Sequence, residues 1–538
     1  MSQPIVDSVN TKYISLVPEN GEQFNPGQKI IFNIEPNIGF MKRDSYMIFD
    51  LLNTTPDFCR VGLNALAGIH SIVENIRIYS KETGVLLESC ENYGQIQALI
   101  NQYGFDDKED IVGKEGVGVP TIATYNNLGG TQSYSLLESS EIVNQRLSPV
   151  NLTGQPKYAN TRYIMSLRCG IFRYFDAERL IPILNFGGLR IEINLQQPDL
   201  VLQKLSCDSL SASSAGGGTG FIKEDIGSAS VGGALLLAQA AGAGANQSVG
   251  ISLQQSIDTC GFAVGNTVQL RGTFAAGGAI DITRTITGMA HAGTETTITL
   301  SGAGWNDINN NNSNLRAVPA SINYQVSNVM FRVCKVVPTA QQASDLRQSL
   351  NYEFTTYDLF LDNIPTASMR HQVPINSVAS KALAIMSIPY DSSQERNFSN
   401  PQYYSGISPT YSGINSLQFF INNRLYPLRN YNPNHLGDRV LCLNESVKAM
   451  KAVGITPLCL GRNINSDLEN YNQTFLLSRE LARNGFVFDL RNAEAEIRLG
   501  FQATPESTVA RTTVLRVNTF VFSKKIIETT ETGVQVIL

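Results

Sequence analysis

The sequence predicts an all-β chain of two tandem β-sandwiches with a few connecting helices and a β-rich insertion in the first. Three observations predict it. Apolar residues recur with period two over short runs bounded by Pro, Gly, Asn and Thr. Helical periodicity is confined to a few segments. A pair of alternating strands in the first half, Leu189 to Leu195 and Tyr324 to Phe331, recurs near the end as Ala493 to Phe501 and Leu515 to Phe522. A short loop separates the later pair, and a long stretch of different composition separates the earlier one. At 538 residues the chain exceeds what one compact core usually holds.

The first strands are expected at Gln28 to Ile34 and Tyr46 to Leu52. Val73 to Tyr79 follows, and Ser80 to Gly84 closes a hairpin-like turn into Val85 to Glu88. Leu189, Ile191, Ile193 and Leu195 point one way, while Arg190, Glu192 and Asn194 point the other, which marks a half-buried strand. Glu91 to Tyr103 carries Ile96, Leu99 and Ile100 at helical spacing. A second helix is expected after Pro338, with Thr339 as N-cap and Gln342 three residues on, and a third within Asn465 to Leu481. Between about Lys204 and Pro319 the chain turns rich in Gly, Ala, Ser and Thr, with Lys223, Arg271, Arg284 and Arg316 its few cations. Ser211 to Gly220 reads as a mobile loop; Val268 to Phe274 and Thr296 to Leu300 read as strands.

Composition narrows the function. Charged residues are 16% of the chain and the formal net charge is −5. A protein that neutralises many phosphates needs a basic face, so direct nucleic-acid binding is not expected. The beginning Met1 to Asp7 has no basic and apolar pattern of a signal peptide, and no apolar run is long enough to span a bilayer. The eight cysteines are scattered with no CxxC pair and read as buried thiols of a protein folded in a reducing compartment.

A search for chemistry finds no enzyme. The four histidines, His70, His291, His371 and His435, lie outside ligand spacing of one another and of any cysteine. There is no HExxH, no G-x-x-x-x-G-K-[ST] and no G-x-S-x-G. Asp106 to Asp110 reads as a solvated acidic loop, His70 as a hydrogen-bonded structural histidine, and Trp305 as packing. No catalytic, cofactor-binding or metal residues are expected.

Ala67-Gly68-Ile69-His70-Ser71-Ile72-Val73-Glu74-Asn75-Ile76-Arg77-Ile78-Tyr79, followed by Thr83 to Glu88 and Asn92-Tyr93, resembles the early strands of a viral capsid family. These are the double jelly-roll major capsid proteins of polinton-like viruses and their virophage and adintovirus relatives. Ile181-Pro182 before Leu189, Ile364-Pro365, and Tyr426-Pro427 after Leu417 to Asn422 fit the same pattern, whereas the insertion does not. The resemblance implies two tandem eight-stranded jelly rolls: an N-terminal arm at 1–25, a first roll at 26–335 with an outer tower at about 204–318, a linker helix at 336–351, and a second roll at 352–538. It also implies a homotrimer that tiles an icosahedral dsDNA virus shell beside penton and other minor capsid proteins. The chain would be made in the host cytoplasm and reside in the virion, with trimer contacts in the insertion and in Asn397 to Ser412. The rival expectation is a carbohydrate-binding or adhesin sandwich, which should show aromatic platforms.

Overall fold

The computed structural model describes residues 11–54, 59–64, 67–104, 122–126, 133–137, 162–211, 222–223, 235–236, 246–252, 264–265, 267–273, 279–292, 295–301, 314–317, 323–337, 351–366, 368–392, 414–433, 435–455, 476–482, 487–501, 514–530 and 533–538. Eight main strands, with the short Gln23–Phe24 and Phe40–Met41 added beside the last of them, make the first sandwich: Thr11–Leu16 (β1), Lys29–Ile34 (β2), Tyr46–Asn53 (β3), Val73–Ser80 (β4), Leu86–Cys90 (β5), Arg162–Ser166 (β6), Leu189–Leu195 (β7) and Tyr324–Val336 (β8). Eight more make the second: Asn351–Ile364 (β9), Arg370–Pro374 (β10), Ala382–Asp391 (β11), Ser416–Ile421 (β12), Arg424–Tyr431 (β13), Leu477–Glu480 (β14), Ala495–Gly500 (β15) and Leu515–Thr530 (β16).

The sheet orders reveal the topology. In the first sandwich one sheet runs β1-β8-β3-β6 and the other β2-β7-β4-β5; in the second they run β9-β16-β11-β14 and β10-β15-β12-β13. Adding eight to each number in the first order gives the second. All these pairings are antiparallel, and each half is the two-Greek-key arrangement of a jelly roll. The helices Tyr93–Gly104 (α1) and Leu436–Ala452 (α2) occupy equivalent places, each between the fifth and sixth strand of its roll.

Burial follows the alternation. β3 alternates half-buried and buried along its length, with Met47, Phe49 and Leu51 inward. β7 lies between β2 and β4, pairing Ile191 with Phe32 on one side and Ile78 on the other. The insertion is β-structured: Leu202–Ser211, Thr267–Thr273, Ala279–Ala292, Glu295–Ser301, Asn246–Ser252 and Asn314–Ala317 belong to a nine-stranded sheet. Cys59–Leu63, from the connection between β3 and β4, pairs with Leu202–Ser211 in that sheet.

Three expectations need correction or placement. Residues assigned to an arm at 1–25 include β1, which pairs with β8 from Thr11↔Val336 to Leu16↔Phe331, and Gln23–Phe24, which pairs with the same strand. The first strand of the first roll therefore lies inside that segment. Leu477 to Glu480, expected in a helix, is strand β14, because it pairs with β11 and buries Leu477 and Ser478. The helix of this region is α2, thirty-odd residues earlier, whose Cys442, Ser446, Ala449, Met450 and Val453 form a buried stripe at helical spacing. The helix expected at Thr339, most of Ser211 to Gly220, and Asp106 to Asp110 lie outside the described residues. Among the described residues no helix is long and apolar enough to cross a membrane.

Candidate functional site: the seam between the two rolls

β11 differs from its counterpart β3 in one respect: all ten of its residues are buried. Its sequence, ALAIMSIPYD, is a nearly continuous apolar run, the pattern of a strand covered on both faces. Ala382 and Ile385 enter the second roll's own core, whereas Ala384, Met386 and Ile388 join the core of the first. The neighbouring β16 divides the same way. Leu515, Val517 and Val521 face the second core, and Phe520 and Phe522 face the first roll. One sheet of the second roll is thus a layer shared between two hydrophobic cores.

From the first roll, α1 meets this layer. Gln95 to Asn101 are buried throughout, polar residues included. Their oxygens are satisfied locally, although the Gln97 Nε2 finds no partner among the described residues: Asn518 donates to Gln95 at 2.7 Å, and the Arg168 guanidinium donates to Gln97 at 3.2 Å and Asn101 at 2.7 Å. Burying these groups without partners would cost about 1–3 kcal/mol each.

A second set of contacts lies where β5 and residues 167–177 meet β9. Gly170 N–H and Ile171 N–H each donate to the Glu88 carboxylate at 2.8 Å, and the Thr356 hydroxyl donates to it at 2.6 Å. Burial pushes the Glu88 carboxyl above its ordinary range, against the pull of these three donors. The Asp176 carboxylate accepts from the Thr355 N–H at 2.8 Å and its hydroxyl at 3.0 Å. The Tyr352 hydroxyl donates to the Ile171 carbonyl at 2.8 Å. Arg173, at φ 63°, donates to the carbonyls of Ala177 and Glu353 and lies over the Tyr352 ring at 5.4 Å. That left-handed backbone is strained for arginine and persists because its side chain is tied on both sides.

Two glycines show how closely the rolls approach. A Cβ on Gly170 would stand 2.1 Å from the Thr355 carbonyl oxygen, and one on Gly454, at φ 85°, 2.2 Å from that of Phe175. Backbone meets backbone at both ends of the seam, and aromatic pairs fill the space between. Phe175 meets Phe522 edge-on with centroids 5.5 Å apart, and Phe186 meets Tyr352 at 5.3 Å.

His70, singled out in the sequence, lies in the buried turn Gly68–Ile72 just before β4, with Nδ1 3.2 Å from the Tyr93 hydroxyl. Burial, reinforced by Arg168, holds its imidazole well below the ordinary histidine range, so it is neutral. His371 pairs instead with Asp362 at 2.7 Å, on the second roll. His435 precedes α2 without capping it through its side chain. The structure does not bring these three together. Cys90, Cys169, Cys334 and Cys442 are buried free thiols. Trp305 and Asn397 to Ser412 lie outside the described residues. The sequence reading missed Glu88, Arg168 and Arg173; a charge inside an otherwise apolar strand, as Glu88 stands in Leu86-Leu87-Glu88, was the available signal for the first.

No family model matches the chain, and no curated protein matches it. Among solved structures, the Faustovirus major capsid protein is similar at 10% identity and TM-score 0.49, over 98% of this chain and 92% of that one. The PBCV-1 virus capsid is similar at 8% identity and TM-score 0.45, over 100% and 98%. The mavirus major capsid protein is similar at 9% identity and TM-score 0.37, over 100% and 92%. The strand orders themselves establish the architecture: this chain is a double jelly roll, two copies of one eight-stranded sandwich joined across a buried polar seam.

Proposed function

We propose that the chain is a major capsid protein, the structural subunit of the shell of a dsDNA virus, and that it is not an enzyme. One observation carries the reading: the strand-for-strand duplication of a jelly roll, with the copies fixed to each other by a shared layer. A rigid pair of like sandwiches becomes, around a three-fold axis, a block with six similar sides. Such a block tiles a closed surface, and closed cyclic symmetry is the usual way to build one. The seam suits this role because a hinge between the rolls would blur the outline that neighbouring blocks must match.

On this reading the units are the first roll to about residue 335 and the second from about 352, with the segment between them as linker and the 204–318 insertion as an outward tower. The partners are further copies of the chain and minor capsid proteins, and the destination of the chain made in the host cytoplasm is the virion. A net charge of −5 suits a wall that does not itself grip the genome.

Light scattering of the purified chain tests the proposal. Three chains of 58.8 kDa give about 176 kDa, with pseudo-hexagonal outlines in negative stain. A monomer that forms neither sheets nor shells at high concentration would overturn it.

A further inference from the structure

The geometry points to a structural zinc site inside the first roll, formed by Glu88, Cys90 and Cys169 beneath the seam. The carboxylate and the two sulfurs lie within 4.8 Å of one another, and all three residues are buried at 3% exposure or less. Glu88 and Cys90 alternate along β5, so both side chains leave the strand on the same side. Cys169 arrives from the segment after β6. The two cysteines are far apart in sequence, which is why no ligand spacing marks them.

The chemistry fits a borderline-soft, closed-shell dication. Zinc accepts thiolate and carboxylate together and imposes no geometry beyond a near-tetrahedral one. In a reducing compartment a thiol pair favours a metal over a disulfide. A second observation points to the same place. The Tyr357 hydroxyl is fully buried and has no hydrogen-bond partner among the described residues. Its strongest electrostatic neighbours after burial itself are Cys90 and Cys169. A native structure rarely leaves such a group idle, and its orphaned hydroxyl beside the two cysteines is consistent with a polar site there.

Binding exchanges weak contacts for strong ones. The one Cys90 S–H is now shared between the Glu88 carboxylate, at 3.5 Å, and the Cys169 sulfur, which accepts. A cation between them replaces both S–H interactions, and the two thiol protons go to solvent. The dication then offsets the thiolate and carboxylate charges that burial otherwise opposes. Because β5 also carries the Glu88 contact to Thr356, the site would stiffen the strand on which the second roll rests.

The test is metal analysis of the full chain purified without chelator from zinc-supplemented culture. One zinc per chain is expected, lost in both Cys90→Ser and Cys169→Ser. Cobalt-loaded wild-type chain should show near-ultraviolet thiolate-to-cobalt absorption that Cys169→Ser lacks. Metal-free wild-type protein whose thiols all titrate after denaturation overturns the site, as does a metal-free chain two hydrogens lighter, which would hold a disulfide. Zinc retained in both serine variants places the metal elsewhere and equally defeats it. The wild-type measurement decides even if a variant fails to fold.

Discussion

Glu88 shows what one residue can hold. Both of its oxygens accept backbone N–H groups, so a Gln there must turn an amide donor toward another donor. Glu88→Gln is expected to cost about 1–3 kcal/mol, the range for leaving buried groups unsatisfied, read from the denaturant midpoint. In the metal-free chain the pH dependence has a definite sign. The folded carboxyl is raised above its unfolded value near ~4.3, so its contribution is complete below that value and is lost as pH rises through the folded one. The gap between wild type and Glu88→Gln should therefore narrow as pH rises from about 4 toward neutrality. A gap that widens would mean that the three donors outweigh burial and hold the carboxylate ionised. Gly170 is the steric counterpart. Gly170→Ala places a methyl 2.1 Å from a carbonyl oxygen of the other roll, where neither backbone can yield without parting the seam. Loss of more than about 3 kcal/mol is expected, in the range of strained core substitutions. A wild-type melting temperature in that variant would show that the seam is looser than described.

At the scale of elements, alternation made most strands legible, and its failure identified the seam. β3 and β11 hold the same place in their rolls, yet one alternates and the other is buried at every position. The difference is written in the residues: Tyr46-Met47-Ile48-Phe49-Asp50 keeps a charge on its outer face, whereas Ala384-Ile385-Met386-Ser387-Ile388 has none. Period-two reasoning finds both strands but cannot say what covers the second face of β11, because that cover comes from α2 and from residues of the first roll, all distant in the chain. The helix α1 was legible from Ile96, Leu99 and Ile100. The burial of its polar side was not, since Gln95, Gln97 and Asn101 look like a solvent face until Asn518 and Arg168 are brought to them. α2 escaped notice because Ser446 interrupts its apolar stripe, and its hydroxyl is satisfied inside the fold by the Cys442 carbonyl at 3.1 Å. The candidate site was scarcely legible at all: its charges are single residues whose partners lie far along the chain, on α1 for Arg168 and partly across the seam for Glu88 and Arg173. The two-sided layer is itself open to test. Phe522→Ala should cost about 3–5 kcal/mol, as for a large core side chain, although Phe522 points away from its own roll's core. Leu361→Ala, at a site 69% exposed on the same sheet, should stay within about 0.5 kcal/mol. Equal, small effects at both positions would contradict a shared core.

For the whole molecule, the insertion decides whether the duplicated rolls are self-sufficient. It departs between β7 and β8, the place where β15 and β16 of the second roll are joined by a far shorter connection. The second roll therefore shows that the topology closes without such an insertion. The pairing inside the insertion shows where to cut. Ser211 and Asn314 are direct partners in neighbouring antiparallel strands, so their chain ends already stand side by side. Replacing residues 212–313 by Asn-Gly would join them through a two-residue hairpin turn, whose twist suits antiparallel strands. Cys59–Leu63 would keep its partner, because its register with Leu202–Ser211 runs only from Leu202↔Leu63 to Cys207↔Cys59, outside the excised segment. The shortened chain should melt in one cooperative transition and, on the capsid reading, keep the mass of a trimer of shortened chains. A trimer lost from chains that still fold would put the three-fold contacts in the insertion and leave the double roll standing. Aggregation of the shortened chain, or loss of its cooperative melt, would mean that the nine-stranded sheet supports the first sandwich, contrary to the independence that the second roll implies.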